Sequence, residues 1–289
     1  MDRMDHGRQP QANHQRVLLF GMPIDNLNLA EMVDYIETLI QAGGVWQYVA
    51  VNVDKVVKMQ RDPQLRAAVL AGDVIGADGQ PLVWASRWLN CPLKERVTGV
   101  DLFEQLIARC AQRGWRPYLL GGRADVVART AAVLQSRHPR LRLAGWQHGH
   151  WLPAEEPAIL HAIQAAQPEV LFVGISSPQK ELLLARWKTQ LGVPFVMGVG
   201  GSFDVVAGVT RRAPDWWRRW GLEWLFRLLQ EPRRLWRRYL VEDLQFLPLL
   251  WCEWRHSRAG RPRLAKERRP GTALTGCVAP VERLAESRR

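Results

Sequence analysis

The chain has 289 residues, 47% hydrophobic and 24% charged, with a formal net charge of +12, enough for one large or two small packed domains. No stretch reaches the ~18–20 apolar residues of a membrane span, and Cys91, Cys110, Cys252 and Cys277 show no C-x-x-C spacing, so neither a zinc site nor a disulfide framework is indicated. Charge is concentrated in the last quarter: residues 211–289 carry 19 basic and 9 acidic side chains and seven of the 14 tryptophans, which points to a polyanionic partner, nucleic acid or an anionic membrane surface.

Along the chain, residues 1–16 read as a disordered polar leader without the apolar core of a signal peptide. Short apolar runs then alternate with helical patterns. "WQYVAVN" leads into "VDKVVKMQRDPQLRAAVLAG", "DVIGAD" into "PLVWASRWLN" and "PYLLGG" into "ADVVARTAAVLQSRHP". "EVLFVGI" leads into "PQKELLLARWKTQLG" and "PFVMGVGG" into "SFDVVAG". Nearly continuous apolar strands with short connections predict a Rossmann-like parallel α/β sheet flanked by helices, over residues 17–210. From Arg211 the pattern becomes Arg/Trp helices broken by Pro214, Pro232 and Pro248, predicting a basic helical appendage over 211–255. In it Trp217, Trp220, Trp224, Leu225 and Leu228 follow 3–4 spacing, read either as an interfacial face or as a core-packing one. Residues 256–289 read as a basic disordered tail. The stretch "YLVEDLQFLPLLWC" is short and holds Glu242 and Asp243, so it is not a span.

Ligands of open parallel sheets bind at the carboxyl ends of the strands. Asn52, Asp78, Gly121-Gly122, "GISSPQKE" and "GVGGSFD" fall there. Each glycine-bearing turn alone reads as a tight turn; three on one sheet edge favour a phosphate-bearing ligand. No G-x-x-x-x-G-K-[ST] is present, "GVGGSF" is not G-x-G-x-x-G, and no D-x-D offers a carboxylate pair to a metal. "HGH" at 148–150 lacks a third ligand and reads as a loop pair, so no metal site is expected. Asp78 reads either as a proton acceptor aimed into the cleft or as a cap of the helix that follows.

The blocks "VNVDKVVKMQRDPQLRAAVLAGDVIGADGQPLVWASR", "ERVTGVDLFEQL", "YLLGGRADV", "PEVLFVGISSPQKE" and "GVGGSFDVVAGVTRRAPDWWRRWGLEWLFRLLQEPRRLWRRYL" together closely resemble the WecG/TagA/CpsF family of bacterial glycosyltransferases (glycosyltransferase family 26). The resemblance runs from about residue 17 to about 245 and implies inverting, metal-independent transfer of a hexose or N-acetylhexosamine from a UDP-sugar. The implied acceptor is a polyprenyl-diphosphate-linked saccharide, and the implied enzyme is peripheral, sits at the cytoplasmic face of the inner membrane and uses no cofactor. It places the general base at Asp78 and aligns Arg96 and Asn52 with family motif positions. Two positions depart from the pattern: the family threonine before Asn52 is Ala50, and "P-K-Q-E" reads Pro178-Gln179-Lys180-Glu181. These departures leave open a nucleotide-sugar-binding protein with altered chemistry.

With no metal expected, Arg96, Lys180 and the N–H groups of Gly200, Gly201 and Ser202 are the candidates for receiving the leaving diphosphate. Asn52, Gly121, Gly122, Gln179, Glu181 and Asp204 complete the substrate-binding set. Asp78 is expected to need an apolar setting, supplied by Trp84 or Trp88, to raise its pKa. Arg211, Arg212, Arg218, Arg219, Arg233 and Arg234 are assigned to the anionic membrane or the lipid diphosphate. A nucleic-acid partner is not expected, since no recognised motif accompanies the charge; a homo-oligomer is left open.

Overall fold

The computed structural model describes residues 14–258. Most of the expected leader and tail lies outside these residues. His14 and Arg16, at the end of the leader, bind the buried carboxylate of Asp25 at 2.6 and 2.7 Å. The first elements form an antiparallel hairpin, β1 (Arg16–Leu19) and β2 (Met22–Asp25), which the sequence reading does not resolve. No helical pattern separates these two strands, so the strand–helix alternation that marks the rest of the sheet does not mark them.

The chain continues through α1 (Leu29–Ala42), β3 (Trp46–Val51), α2 (Val53–Met59), α3 (Pro63–Leu70), β4 (Val74–Ala77), α4 (Gln80–Trp88) and α5 (Gly99–Arg113). It then forms β5 (Pro117–Gly121), α6 (Ala124–Arg137), β6 (Gly145–Gln147), α7 (Glu156–Ala166), β7 (Val170–Gly174), α8 (Gln179–Leu191), β8 (Phe195–Gly198) and α9 (Ser202–Val206). Strands β3 to β8 make one parallel sheet in the order β4-β3-β8-β7-β5-β6. Alternate residues of each strand enter two different cores. Tyr48, Leu119, Phe172 and Met197 face α1, α5, α6 and α9, while Val49, Val51, Leu171 and Val173 face α2, α3, α4, α7 and α8. Burial on both faces explains the unbroken apolar runs. Asp25 also accepts from the Ile75 N–H at 2.7 Å, so the hairpin covers the outer side of β4 and protects an edge strand from stray pairing.

After β3 the chain turns to one face of the sheet, and after β8 to the other. These two strands are neighbours, so a crevice opens between their carboxyl ends, where ligands of open α/β sheets bind.

The C-terminal part adds α10 (Asp215–Arg219), α11 (Glu223–Gln230), α12 (Pro232–Arg237), a π turn (Arg238–Glu242), a 3-10 turn (Asp243–Gln245) and α13 (Phe246–Arg258). Gly221, with φ +73°, breaks α10 from α11, so the tryptophan stripe does not lie on one helix. Trp217 packs edge-on to Phe226 and Trp224 to Tyr239, while Trp220 is exposed. Helix α13 returns to the sheet domain. Phe246 is buried against Phe20, ring centroids 5.0 Å apart, and joins the core beneath α2 and α4. Phe246→Ala should therefore destabilise the whole fold, by about 3–5 kcal/mol, the usual cost of emptying a buried phenylalanine site. Urea denaturation measures this, and a loss below about 1 kcal/mol would make α13 a detachable element.

Candidate active site

Asp78 follows β4 directly. Its own N–H donates to the Val51 carbonyl at 2.7 Å, which locks the turn to the end of β3. Helix α4 begins with Gly79 as N-cap, which has no side chain to cap with, and the Asp78 carboxylate accepts instead from the Gly99 N–H at the start of α5. The segment before α5 runs alongside: Val97 N–H donates to the Ala77 carbonyl at 3.0 Å, and Thr98 caps α5. This brings Arg96 and the amino end of α5 beside Asp78; a Cβ on Gly99 would lie 3.6 Å from the Asp78 Oδ2.

Burial pushes the Asp78 pKa up to about 6; Arg227 opposes the rise, Glu223 adds to it, and Arg96 and the Gly99 N–H lower it. The expected apolar cover from Trp84 and Trp88 is not what the structure shows. Both rings are about half exposed. Trp84 lies against Gly221, and Trp88 stacks on Trp254 at 5.7 Å.

The C-terminal segment reaches the same cleft, and Arg227 and Glu223 of α11 act on Asp78 through their charges. A Cβ on Gly221 would fall 2.5 Å from Gln80 Cγ, so glycine is what allows α10–α11 to approach the start of α4. Arg96 then meets the Glu223 carboxylate at 3.5 Å and donates to the Arg218 carbonyl at 3.5 Å. Glu223 also binds Arg227 at 2.9 Å. Arg212 and Arg218 converge on Asp101 at 2.6 and 3.5 Å. Two arginines assigned to the lipid surface, Arg212 and Arg218, are thus engaged with α5 beside the cleft. Arg211 and Arg233 are exposed, and the side chains of Arg219 and Arg234 lie outside the described residues.

On the other side of the crevice, Asn52 accepts from the Lys55 N–H at 3.0 Å and caps α2. Lys55, which the sequence reading passes over, is buried and donates to Glu181 at 2.6 Å and to the Ala50 carbonyl at 2.5 Å. Lys180 reaches the same carboxylate at 3.4 Å.

The model of the WecG/TagA/CpsF glycosyltransferase family matches residues 17–260, spanning the sheet, the crevice and the C-terminal helices together. The chain belongs to this family. The expected family and fold are both borne out.

Within this glycosyltransferase the remaining candidates separate. Gly121 has φ +127°, and a Cβ on it would lie 2.6 Å from the backbone of Gly174. That glycine is required by the close approach of β5 to β7, a structural reason independent of any ligand. Gly122 also has positive φ, and its carbonyl accepts from the Gly149 N–H at 2.7 Å, drawing the "HGH" loop to the same edge. There the His150 N–H donates to His148 Nδ1 at 3.3 Å. Ser202 is buried with its hydroxyl and N–H both turned to the Val199 carbonyl, leaving Gly200 and Gly201 to line the turn. Asp204 sits in the first turn of α9, close to Gly201. Gln179 points away from Lys180 into a groove of about 890 Å³ between α3 and α8, lined also by Gln64, Trp151 and Arg186. Among the described residues, no group of three or more His, Cys, Asp and Glu could hold a metal, and no helix is long and apolar enough to cross a membrane.

Proposed function

We propose that this glycosyltransferase moves a hexose or N-acetylhexosamine, such as N-acetylmannosamine or glucose, from a UDP-sugar to a polyprenyl-diphosphate-linked saccharide, with inversion and without a metal. The observation that carries this reading is Asp78, recessed at the mouth of β4 with a pKa near 6. At neutral pH such a carboxylate is mostly ionised yet a stronger base than a solvated one near ~4. It takes the proton of the acceptor hydroxyl as that oxygen bonds to the anomeric carbon. The bond from that carbon to the diphosphate breaks on the opposite face, and the electron pair leaves on a phosphate oxygen. Arg96, with Arg227 from the closing segment, supplies charge to the cleft without a metal ion.

The membrane part of the proposal rests on exposed aromatics. Trp84, Trp88, Trp216, Trp220, Trp236 and Trp251 are between 47% and 72% exposed, interspersed with arginines. Tryptophan favours the membrane–water interface, and arginine pairs with lipid phosphates. These features support a peripheral enzyme on an anionic membrane surface, and the cytoplasmic face of the inner membrane is the location that the family resemblance implies.

UDP release with a polyprenyl-diphosphate saccharide tests the reaction. Turnover should require both substrates and survive excess EDTA. Loss of activity in EDTA with recovery in Mg²⁺ or Mn²⁺ would overturn the metal-free reading. UDP-sugar binding without turnover on any lipid acceptor would reduce the protein to a nucleotide-sugar-binding module.

A further inference from the structure

Lys55 and Lys180 come from different elements and share one carboxylate. Lys55 Nζ lies 2.6 Å from Glu181 Oε1, and Lys180 Nζ lies 3.4 Å from the same oxygen. The three side chains are 5%, 15% and 3% exposed for Lys55, Lys180 and Glu181. The stem of Lys180 crosses the end of β8. A Cβ on Gly198 would sit 2.9 Å from its Cδ and Cε, and one on Gly200 3.7 Å from its Nζ. The ammonium is thereby carried under the turn that leads into α9, at the crevice between β3 and β8.

One carboxylate neutralises one ammonium, so this unit keeps a positive charge in a poorly solvated place. Burial pushes the Glu181 pKa up, but Lys55, Lys180 and the nearby Ser177 hydroxyl more than offset it, so Glu181 stays ionised. Burial and the charge of Lys180 together press the Lys55 pKa down to about 8 against the pull of Glu181 and Asp78. Asp78, whose charge also reaches Lys55, is itself acted on by Arg227 and Arg96, and Asp204 of α9 lies beside the neighbouring Gly201. A buried excess charge is disfavoured unless a counter-charge meets it.

We propose that Lys55, Glu181 and Lys180 form an anion site on the floor of the crevice that takes an oxyanion group of the sugar donor. Two sources share that chemistry: a phosphate of the nucleoside diphosphate, or the carboxylate of a uronic-acid sugar. Lys180 presents the charge through its three donors. Lys55 is a positioning residue: it ties Glu181 to the end of β3 and supplies the second cation, so that Glu181 cannot neutralise Lys180. This inference rests on reading the crevice as the nucleotide-sugar site.

Calorimetric titration of the full-length protein with UDP, uridine, UDP-glucose, UDP-glucuronate and inorganic pyrophosphate tests it. Lys180→Met should weaken UDP and pyrophosphate about tenfold or more and leave uridine unchanged, the loss expected of a charge-assisted contact. A loss confined to UDP-glucuronate instead identifies the sugar carboxylate as the anion and supports the site. Lys180→Arg keeps the charge and should hold affinity within about threefold of the native protein. Equal losses in both variants would assign the effect to packing against Gly198 and overturn the site, as would native affinities for every ligand in Lys180→Met. Binding of pyrophosphate that depends on Lys180, with no binding of any uridine compound, would refute the uridine reading while leaving the anion site standing.

Discussion

Asp78→Asn should lower turnover by about 10²–10⁴-fold, the usual contribution of a general base, while UDP binding changes little. The substitution keeps the shape of the side chain and removes the proton acceptor. The pH profile separates this from a structural effect. Because burial holds the Asp78 pKa up near 6, the carboxyl is protonated below that value, and the native rate should rise through pH 6 as the base ionises. The residual rate of the variant should lack that limb. On the alkaline side, Lys55 loses its proton above about 8. Glu181 is then left to neutralise Lys180, so KM for the donor should rise there. Initial rates across roughly pH 5–9 measure both limbs. Near-native turnover of the variant, or an acid limb that persists in it, would remove Asp78 from the chemistry.

Truncation after Thr210 should cost more than membrane attachment. The residue pattern alone suggests an anchor whose removal spares the sheet domain and affects a short water-soluble acceptor less than a lipid one. The structure leads to a different expectation. Glu223 and the Arg218 carbonyl hold Arg96, Arg227 faces Asp78, and Phe246 fills the core beneath α2. Turnover on a water-soluble acceptor should therefore fall by about 10²-fold or more, the scale of losing a preorganised charge contact. Vesicle sedimentation should show weakened binding as well, since several basic residues each contribute on the order of 1 kcal/mol at an anionic surface. The truncated chain should also melt earlier because it lacks α13. A truncated protein within about threefold of native turnover on the soluble acceptor would restrict these helices to membrane recruitment.

Much of the architecture is legible in the residues themselves. Unbroken apolar runs such as "EVLFVGI" and "PFVMGVGG", each followed by a helical pattern, specify buried parallel strands, because a strand covered on both faces has no polar side to alternate with. The family resemblance and the position of Asp78 at a strand end follow from the same collinear order. The strands β1, β2 and β6 do not, since no helical pattern separates β1 from β2, β6 is only three partly exposed residues, and the place of the hairpin depends on a distant contact, Asp25 with Ile75.

The site divides the same way. Asp78 is readable because one residue type at one chain position suffices to nominate it. Lys55 reads as an ordinary helix-face lysine until Glu181, 126 residues later, meets it at 2.6 Å. Gly121 reads as a phosphate-loop residue until Gly174 is seen against it. Trp84 and Trp88 read as cover for Asp78, yet both are about half exposed, and among the charges acting on Asp78 are Arg227 and Glu223 from α11. Sequence alone determines local periodicity, strand ends and the chemical types at them, because these depend on neighbours along the chain. Which charges face one another, and how far water is kept from them, was decided only by tertiary packing, because pKa and ion pairing depend on groups that come close only after the chain has folded.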